Sequence, residues 1–286
     1  MKKLSTIVIS LLLVLMILPV VPVKSQNTKK FVLRTNEKNI AITTLKRCSD
    51  IISSRLKLYG ITQFDVRVSE DNHQIELQLP GNSDFKSIEG FLTSRGDISF
   101  YETYDQGQIS TMIRTDDKLF SLVSKESASK SSDPRVGCAE TGKAADAEKY
   151  ITTMAPVKNC MLLWGKETAS GKCLFALKVT DSGTPLISRE DIESATVKKG
   201  ADMNDIRLQL KLKPAMKSVF AEATRNNLNK SIAIVIDGRV FSWPVVRSVI
   251  EKGEIEVTGS FTEGEVNYLP VIFNTEKLPV TLVLVK

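Results

Sequence analysis

An α+β fold is the class that this sequence predicts, on three observations. Apolar side chains alternate over Ile75-Glu-Leu-Gln-Leu79 and at Ile206, Leu208, Leu210 and Leu212, the two-residue period of half-buried strands. Between such runs, Leu45, Cys48, Ile52, Leu56 and Tyr59 recur three and four apart, which puts them on one helical face. The run Ser231-Ile-Ala-Ile-Val-Ile-Asp-Gly-Arg-Val-Phe-Ser-Trp-Pro244 turns at Asp237-Gly238. A two-residue type I′ turn needs φ > 0 at both central positions, and Asp-Gly supplies it.

The elements follow in order. Lys30 to Arg34 is a predicted strand, and Thr43 to Tyr59 a helix stopped by Gly60. Phe64, Val66 and Val68 alternate, and a polar turn, Ser69 to Gln74, leads to the Ile75–Leu79 strand, which Pro80-Gly81 closes. Asp84 to Arg95 is a second amphipathic helix with Phe85, Ile88, Phe91 and Leu92 inward, and Gly96 precedes a strand carrying Ile98 and Phe100. The order over residues 30–104 is βαββαβ, that of a ferredoxin-like split unit with two helices on one face of an antiparallel sheet.

From residue 105 the pattern weakens. Gln108 to Val123 fits a helix and strand poorly. Residues 125–148 hold almost no large apolar side chains, so a flexible loop is expected there. Met161–Trp164 and Leu174–Val179 read as a hairpin with a polar tip, and Trp164 as a packing residue. Ser188-Arg-Glu-Asp191 is a capping box opening a short helix. Pro214 suits the first position of a helix running to about Asn229, with Met216, Val219, Phe220 and Ala223 inward. Trp243-Pro244 ends the strand after the Asp-Gly turn. Val245, Val246, Val249 and Ile250 predict a short helix closed by Gly253, and a strand follows over 255–259. Thr262-Glu-Gly-Glu265 is a second capping box, for a helix burying Val266 and Leu269. Pro270, at a cost of ~3 kcal/mol, predicts that this helix kinks or stops early. Leu278 to Val285 is the closing strand.

At 286 residues, 42% apolar and 25% charged, the chain has the composition of a folded globular protein with one large domain or two modest ones. Residues 1–25 are a signal peptide or an N-terminal membrane anchor: Met1-Lys2-Lys3 precedes an uncharged run from Leu4 to Val23. Pro19 and Pro22 favour processing, with cleavage after Ser25. The net charge of +6 includes Lys2, Lys3 and Lys24, and the remaining basic residues are scattered. That excludes a phosphate-tracking stripe and, with it, nucleic acid.

Export permits disulfides. Cys160 and Cys173 flank the hairpin and form a candidate disulfide, Cys138 is an equally credible partner, and Cys48 reads as a buried thiol. Cysteine spacing fits no zinc pattern and His73, the single histidine, reads as a turn residue, so no metal is expected. No cofactor motif is present. Asp191, Glu193 and Asp237 offer carboxylates, but no base or nucleophile accompanies them, and the expectation is a protein that is not an enzyme.

Several spaced phrases carry a family resemblance. Ile52-Ile, Arg55-Leu and Leu58-Tyr-Gly60, then Ile75-Glu-Leu-Gln-Leu-Pro-Gly81 and Asp97-Ile-Ser-Phe100, resemble the first periplasmic region of the SecD family, accessory subunits of the bacterial Sec translocon. So do Thr224, Asn226, the 232–244 run, Ile250, Gly253, Ile255, Thr258-Gly-Ser-Phe-Thr262 and Leu278-Pro279. The resemblance covers roughly 43–104 and 185–280. It implies a ferredoxin-like base from 30–104, an inserted α+β head over 105–260, and a segment, 261–286, returning to the base.

By the same resemblance, the expected function is a non-catalytic exported binding module that assists translocation. Its partners would be an unfolded or secreted polypeptide or Sec translocon subunits, at a periplasmic or membrane-proximal location. A structural component of the envelope is the alternative. The family's proton-driven motor is not implied, because its ionisable residues lie in membrane segments that this sequence does not contain. Contact surfaces would be exposed strand edges and an apolar cleft between base and head. The candidate contact loop is Asp237-Gly238-Arg239 with Trp243.

Overall fold

The computed structural model describes residues 28–114, 117–124, 132–168, 171–180, 182–199, 206–258 and 262–285. The N-terminal apolar segment, with its cleavage or anchoring, lies outside them. Among the described residues no helix is long and apolar enough to cross a membrane.

The chain begins β1 (Thr28–Arg34), α1 (Ile42–Tyr59), β2 (Asp65–Ser69), β3 (Gln74–Pro80), α2 (Phe85–Thr93) and β4 (Ile98–Glu102). Next come α3 (Gln106–Met112), α4 (Leu119–Leu122), β5 (Arg135–Ala139), α5 (Ala144–Thr153), β6 (Cys160–Trp164), β7 (Lys172–Lys178), β8 (Ile187–Ser188) and β9 (Ile192–Lys199). It ends β10 (Ile206–Leu212), α6 (Lys217–Asn226), β11 (Ile232–Ile236), β12 (Arg239–Ser242), β13 (Glu254–Thr258), α7 (Glu263–Phe273) and β14 (Val283–Val285). The class is α+β, with four small antiparallel sheets among the described residues.

The first sheet has the order β14-β1-β3-β2. Alternation dictates its inner face: Leu33, Ile75, Leu77 and Leu79 are fully buried against Ile52 and Leu56 of α1 and Phe91 and Leu92 of α2. Gly60 ends α1 in the left-handed conformation, and the Asp84 side chain caps α2. Residues from both ends of the chain share this unit, since β14 pairs with β1 and Leu269 and Ile272 of α7 join its core.

β4 departs from the expected order. It pairs with β11 and β8 in the sheet β12-β11-β4-β8, and β14 takes the place beside β1. The apolar strand Ile232–Ile236 gives β4 five paired positions, and Phe220 of α6 meets Phe100 edge-on at 6.0 Å, so burial favours that sheet. The remaining sheets are β13-β10-β9 and β5-β7-β6.

Four further expectations meet a different outcome. Of the flexible loop expected at 125–148, residues 125–131 lie outside the described residues, and 135–148 are not a loop: β5 and the start of α5 lie there, with Val136, Ala139, Ala144 and Ala147 buried. Small side chains can form a core if the backbones come close, and a search for large apolar residues overlooks them. Residues 245–253 form no helix. Their β-branched side chains disfavour one, and the segment is held by Asn229 N–H donating to Val246 O (2.9 Å) and Ile250 N–H to Thr224 Oγ1 (3.0 Å). Val219 is 43% exposed rather than inward, since α6 starts at Lys217 after a 3-10 turn and buries Phe220, Ala223 and Thr224 instead. Pro270 does not shorten α7, which continues to Phe273.

Candidate functional site

The Asp237-Gly238 turn has φ of 48° and 75°, the pair that a type I′ turn requires. Its carboxylate is engaged. Oδ2 accepts from Ser94 Oγ at 2.6 Å and Oδ1 from Asp97 N–H at 2.9 Å, while Asp237 N–H donates to Asp97 O at 2.9 Å. The turn therefore fastens the β11–β12 hairpin to the α2–β4 connection. Replacing Asp237 with alanine should cost about 1–2 kcal/mol, because the Asp97 amide loses its acceptor and the left-handed turn position loses a tolerant side chain. Asp237→Asn should recover most of it, as urea titration of both variants would show. Arg239, beside the turn, is exposed.

Trp243 lies beyond the far end of β12, so the four residues of the candidate loop are not brought together. Its ring packs against Phe175 of β7 at a tilt of 54°, centroids 4.6 Å apart, with the Arg135 guanidinium 5.9 Å away. Here a cleft of about 640 Å³ opens, with Val240, Phe241, Trp243 and Pro244 on one wall and Gly165, Lys166 and Phe175 on the other. Thr262 and Glu265, at the start of α7, close one end.

Two sheet edges meet at this cleft. β12 is the edge strand of one sheet and β6 of another, and they touch where Gly165 bridges Val240 in parallel and Lys166 N–H donates to Val240 O at 3.2 Å. A Cβ at Gly165 would come within 2.8 Å of the Phe175 ring on the neighbouring β7, so glycine leaves room for that ring at the cleft.

Lys166 spans the cleft. Its Nζ is 2.8 Å from Glu265 Oε1 and 4.0 Å from the Phe241 ring centroid. The second Glu265 oxygen accepts Thr262 N–H at 2.9 Å and Thr262 Oγ1 accepts Glu265 N–H at 3.2 Å, which completes the capping box. One carboxylate thus starts α7 and holds the hairpin tip. Sequence reading marked Glu265 only as a cap and passed over Lys166 and Phe241. No local signal marks them, because residues about 75 and 100 positions apart meet only in the fold.

Of the two partners expected for Cys173, Cys138 is the one bonded and Cys160 is not. Cys138 and Cys173 are bonded, and Cys48 and Cys160 are free. The β5–β7 register places Cys138 opposite Cys173, whereas Cys160 sits opposite Lys178, five residues further along β7. Burial pushes the Cys160 thiol up to about 11, so it is protonated at neutral pH. His73 occupies the β2–β3 turn with φ of 48°. Among the described residues no group of three or more His, Cys, Asp or Glu could hold a metal.

Comparison with known proteins agrees with this architecture. The family "SecDF, P1 head subdomain" matches residues 171–280. Protein translocase subunit SecD of Calditerrivibrio nitroreducens is 30% identical over 121 residues, covering 42% of this chain and 23% of its own length. The SecD of Syntrophobacter fumaroxidans is 24% identical over 257 residues, 89% of this chain and 41% of its own. The chain thus spans less than half the length of these relatives. Among solved structures, SecDF in a "Super-membrane-facing form" superposes with a TM-score of 0.56 at 18% identity, over 90% of this chain and 29% of that one. A second, from work on "a membrane component SecDF that enhances protein export", gives 0.54 at 18% identity over 90% of this chain and 98% of that one. The likeness in structure shows the fold, and the sequence matches show similarity to SecD and SecDF over part of their length.

Proposed function

We propose that this chain, a homologue of SecD and SecDF, is a non-catalytic, extracytoplasmic binding module that contacts secreted polypeptides during translocation. Its base would be a ferredoxin-like unit assembled from β1, α1, β2, β3, α2 and β14. The head would be the inserted α+β part, beginning at β4 rather than at residue 105. The observation that carries the reading is the cleft where the β12 and β6 edges meet. An extended chain can add to a strand edge through its own amides and set alternate side chains into an apolar pocket. Val240, Phe241, Trp243 and Phe175 offer that pocket, and Lys166 with Glu265 gives it a polar rim.

The test is site-specific photocrosslinking of the full chain in intact cells. A photoreactive residue at exposed Glu167, on the cleft rim, should label secreted polypeptides in transit, and one at exposed Lys57 on α1 should not. Phe241→Asp should lower labelling from Glu167 by roughly tenfold, the scale of losing one well-buried apolar anchor. Equal labelling from both positions, or none from either, would defeat the proposal.

A further inference from the structure

On another face, a second cavity of about 750 Å³ lies where the loops after α2 and α7 meet the start of β9. Five cationic side chains line it: Arg47, Arg95, Arg189, Lys213 and Lys277. Its carboxylates are Glu190, Glu193 and Glu276. Most of that negative charge is already committed. Glu276 pairs with Arg47 at 3.0 Å, and Glu193 with Lys211 at 3.2 Å. Lys277 stands 3.8 Å from Glu190 and 3.6 Å from Asp97.

Three cations remain. Arg95 meets the carbonyls of Leu278 and Pro279, both at 3.4 Å, and Arg189 Nη2 donates to Thr275 O at 2.7 Å. Neither guanidinium makes an ion pair among the described residues, and Lys213 is exposed and also makes none. A carbonyl satisfies a donor without cancelling its charge. Arg189 Nε is buried with no partner at all, a cost that native interiors rarely leave standing. Burial holds the Arg189 guanidinium below its ordinary pKa, with Glu190 opposing the shift, yet an arginine stays charged at neutral pH.

We propose that this cavity is an oxyanion site that takes a phosphate group. Two guanidinium forks and an ammonium converge there from three elements, the donor set that suits a tetrahedral anion. The ligand would join the loops following α2 and α7 to the start of β9 and the end of β10. Glu190 faces the same space and sets a limit, favouring a compact anion held on the Arg95, Arg189 and Lys213 side. This site is independent of the polypeptide cleft, since the two share no lining residue.

The probe is inorganic phosphate, titrated against the full chain and read as a shift in thermal midpoint, with sodium chloride at matched ionic strength as the reference. Phosphate should raise the midpoint where chloride does not. Lys213→Gln, an exposed change that leaves the fold intact, should weaken the apparent affinity roughly tenfold, and Arg95→Gln by at least as much. Sedimentation with phosphatidylglycerol vesicles, repeated with Lys213→Gln, separates the two sources. Lysine-dependent sedimentation assigns the phosphate to a lipid headgroup, and a response to inorganic phosphate alone assigns it to a free ion. An equal chloride effect, full retention of the phosphate response in both variants, or no response to either probe overturns the proposal.

Discussion

Replacing Arg55 with methionine is expected to lower the unfolding free energy by about 3–5 kcal/mol. The side chain is fully buried on α1 and makes no ion pair among the described residues, with the Asp237 carboxylate acting on it only through its field. Its Nη1 donates to Phe91 O at 2.5 Å and Ser94 O at 2.6 Å, and its Nη2 to Arg95 O at 3.0 Å and Glu276 O at 3.3 Å. Its Nε reaches Thr275 Oγ1 at 3.3 Å. Phe91 O and Ser94 O are carbonyls that α2 leaves free at its C-terminus, where a helix carries partial negative charge, and the other acceptors lie in the segments just after α2 and α7. One guanidinium from a third helix therefore closes two others. Burial lowers its pKa to about 10, which still leaves it charged at neutral pH.

Methionine would fill much of the volume and satisfy none of the carbonyls, each worth roughly 1–3 kcal/mol when buried without a donor. Removing the desolvated charge offsets part of that sum, which is why the expected net loss is well below the total. Arg55→Lys keeps the charge but offers a single nitrogen, which cannot span both helix ends, and should recover less than half the loss. Urea unfolding with unchanged m-values would measure both variants. A loss under about 1 kcal/mol in the methionine variant would mean that water replaces the guanidinium, and the knot would not matter for stability.

Arg55 also shows where reading the sequence stops. The helix that carries it was plain from the spacing of Leu45, Cys48, Ile52 and Leu56, but Arg55 itself reads as an ordinary polar residue on that helix. Its partners are carbonyls about 40 and 220 positions away, and carbonyls have no residue type. The same division runs through the fold. Features closed within a few residues were legible: the capping boxes at Ser188 and Thr262, the Gly60 stop, the Asp237-Gly238 turn and the alternation of 206–212. Sheet partnership was not, because the strand at Ile98 carries the same pattern whether it joins β1 or β11. In the candidate site, Trp243 was legible as an aromatic beside a strand-ending proline. Lys166 and Glu265 were not, since their pairing depends on two sheet edges meeting. The 135–148 segment failed for a different reason: its burial rests on alanines and on a covalent bond between strands.

That bond carries the second large effect. Breaking the Cys138–Cys173 disulfide, by Cys138→Ala with Cys173→Ala or by a reductant, is expected to cost roughly 4 kcal/mol on the loop-entropy scale for a closed segment of 35 residues. The enclosed chain contains α5 and β6, whose buried apolar side chains are the alanines Ala144 and Ala147, with Tyr150, Ile151, Leu162 and Trp164 only partly buried. Cys160→Ser, by contrast, should leave stability within about 1 kcal/mol, because that thiol is free. The loss should be felt first at the cleft. Cys173 lines it, and β7 also carries Phe175, the ring against which Trp243 packs. Crosslinking from Glu167 should therefore fall on reduction even where α1 and its sheet remain folded. This ties binding competence to an oxidising compartment, where the bond persists. The measurement is urea unfolding with and without reductant, followed in parallel by Trp fluorescence and by far-UV circular dichroism. Equal stability of the oxidised and reduced forms, or a reductant effect that Cys160→Ser abolishes, would show that the bond does not brace the cleft.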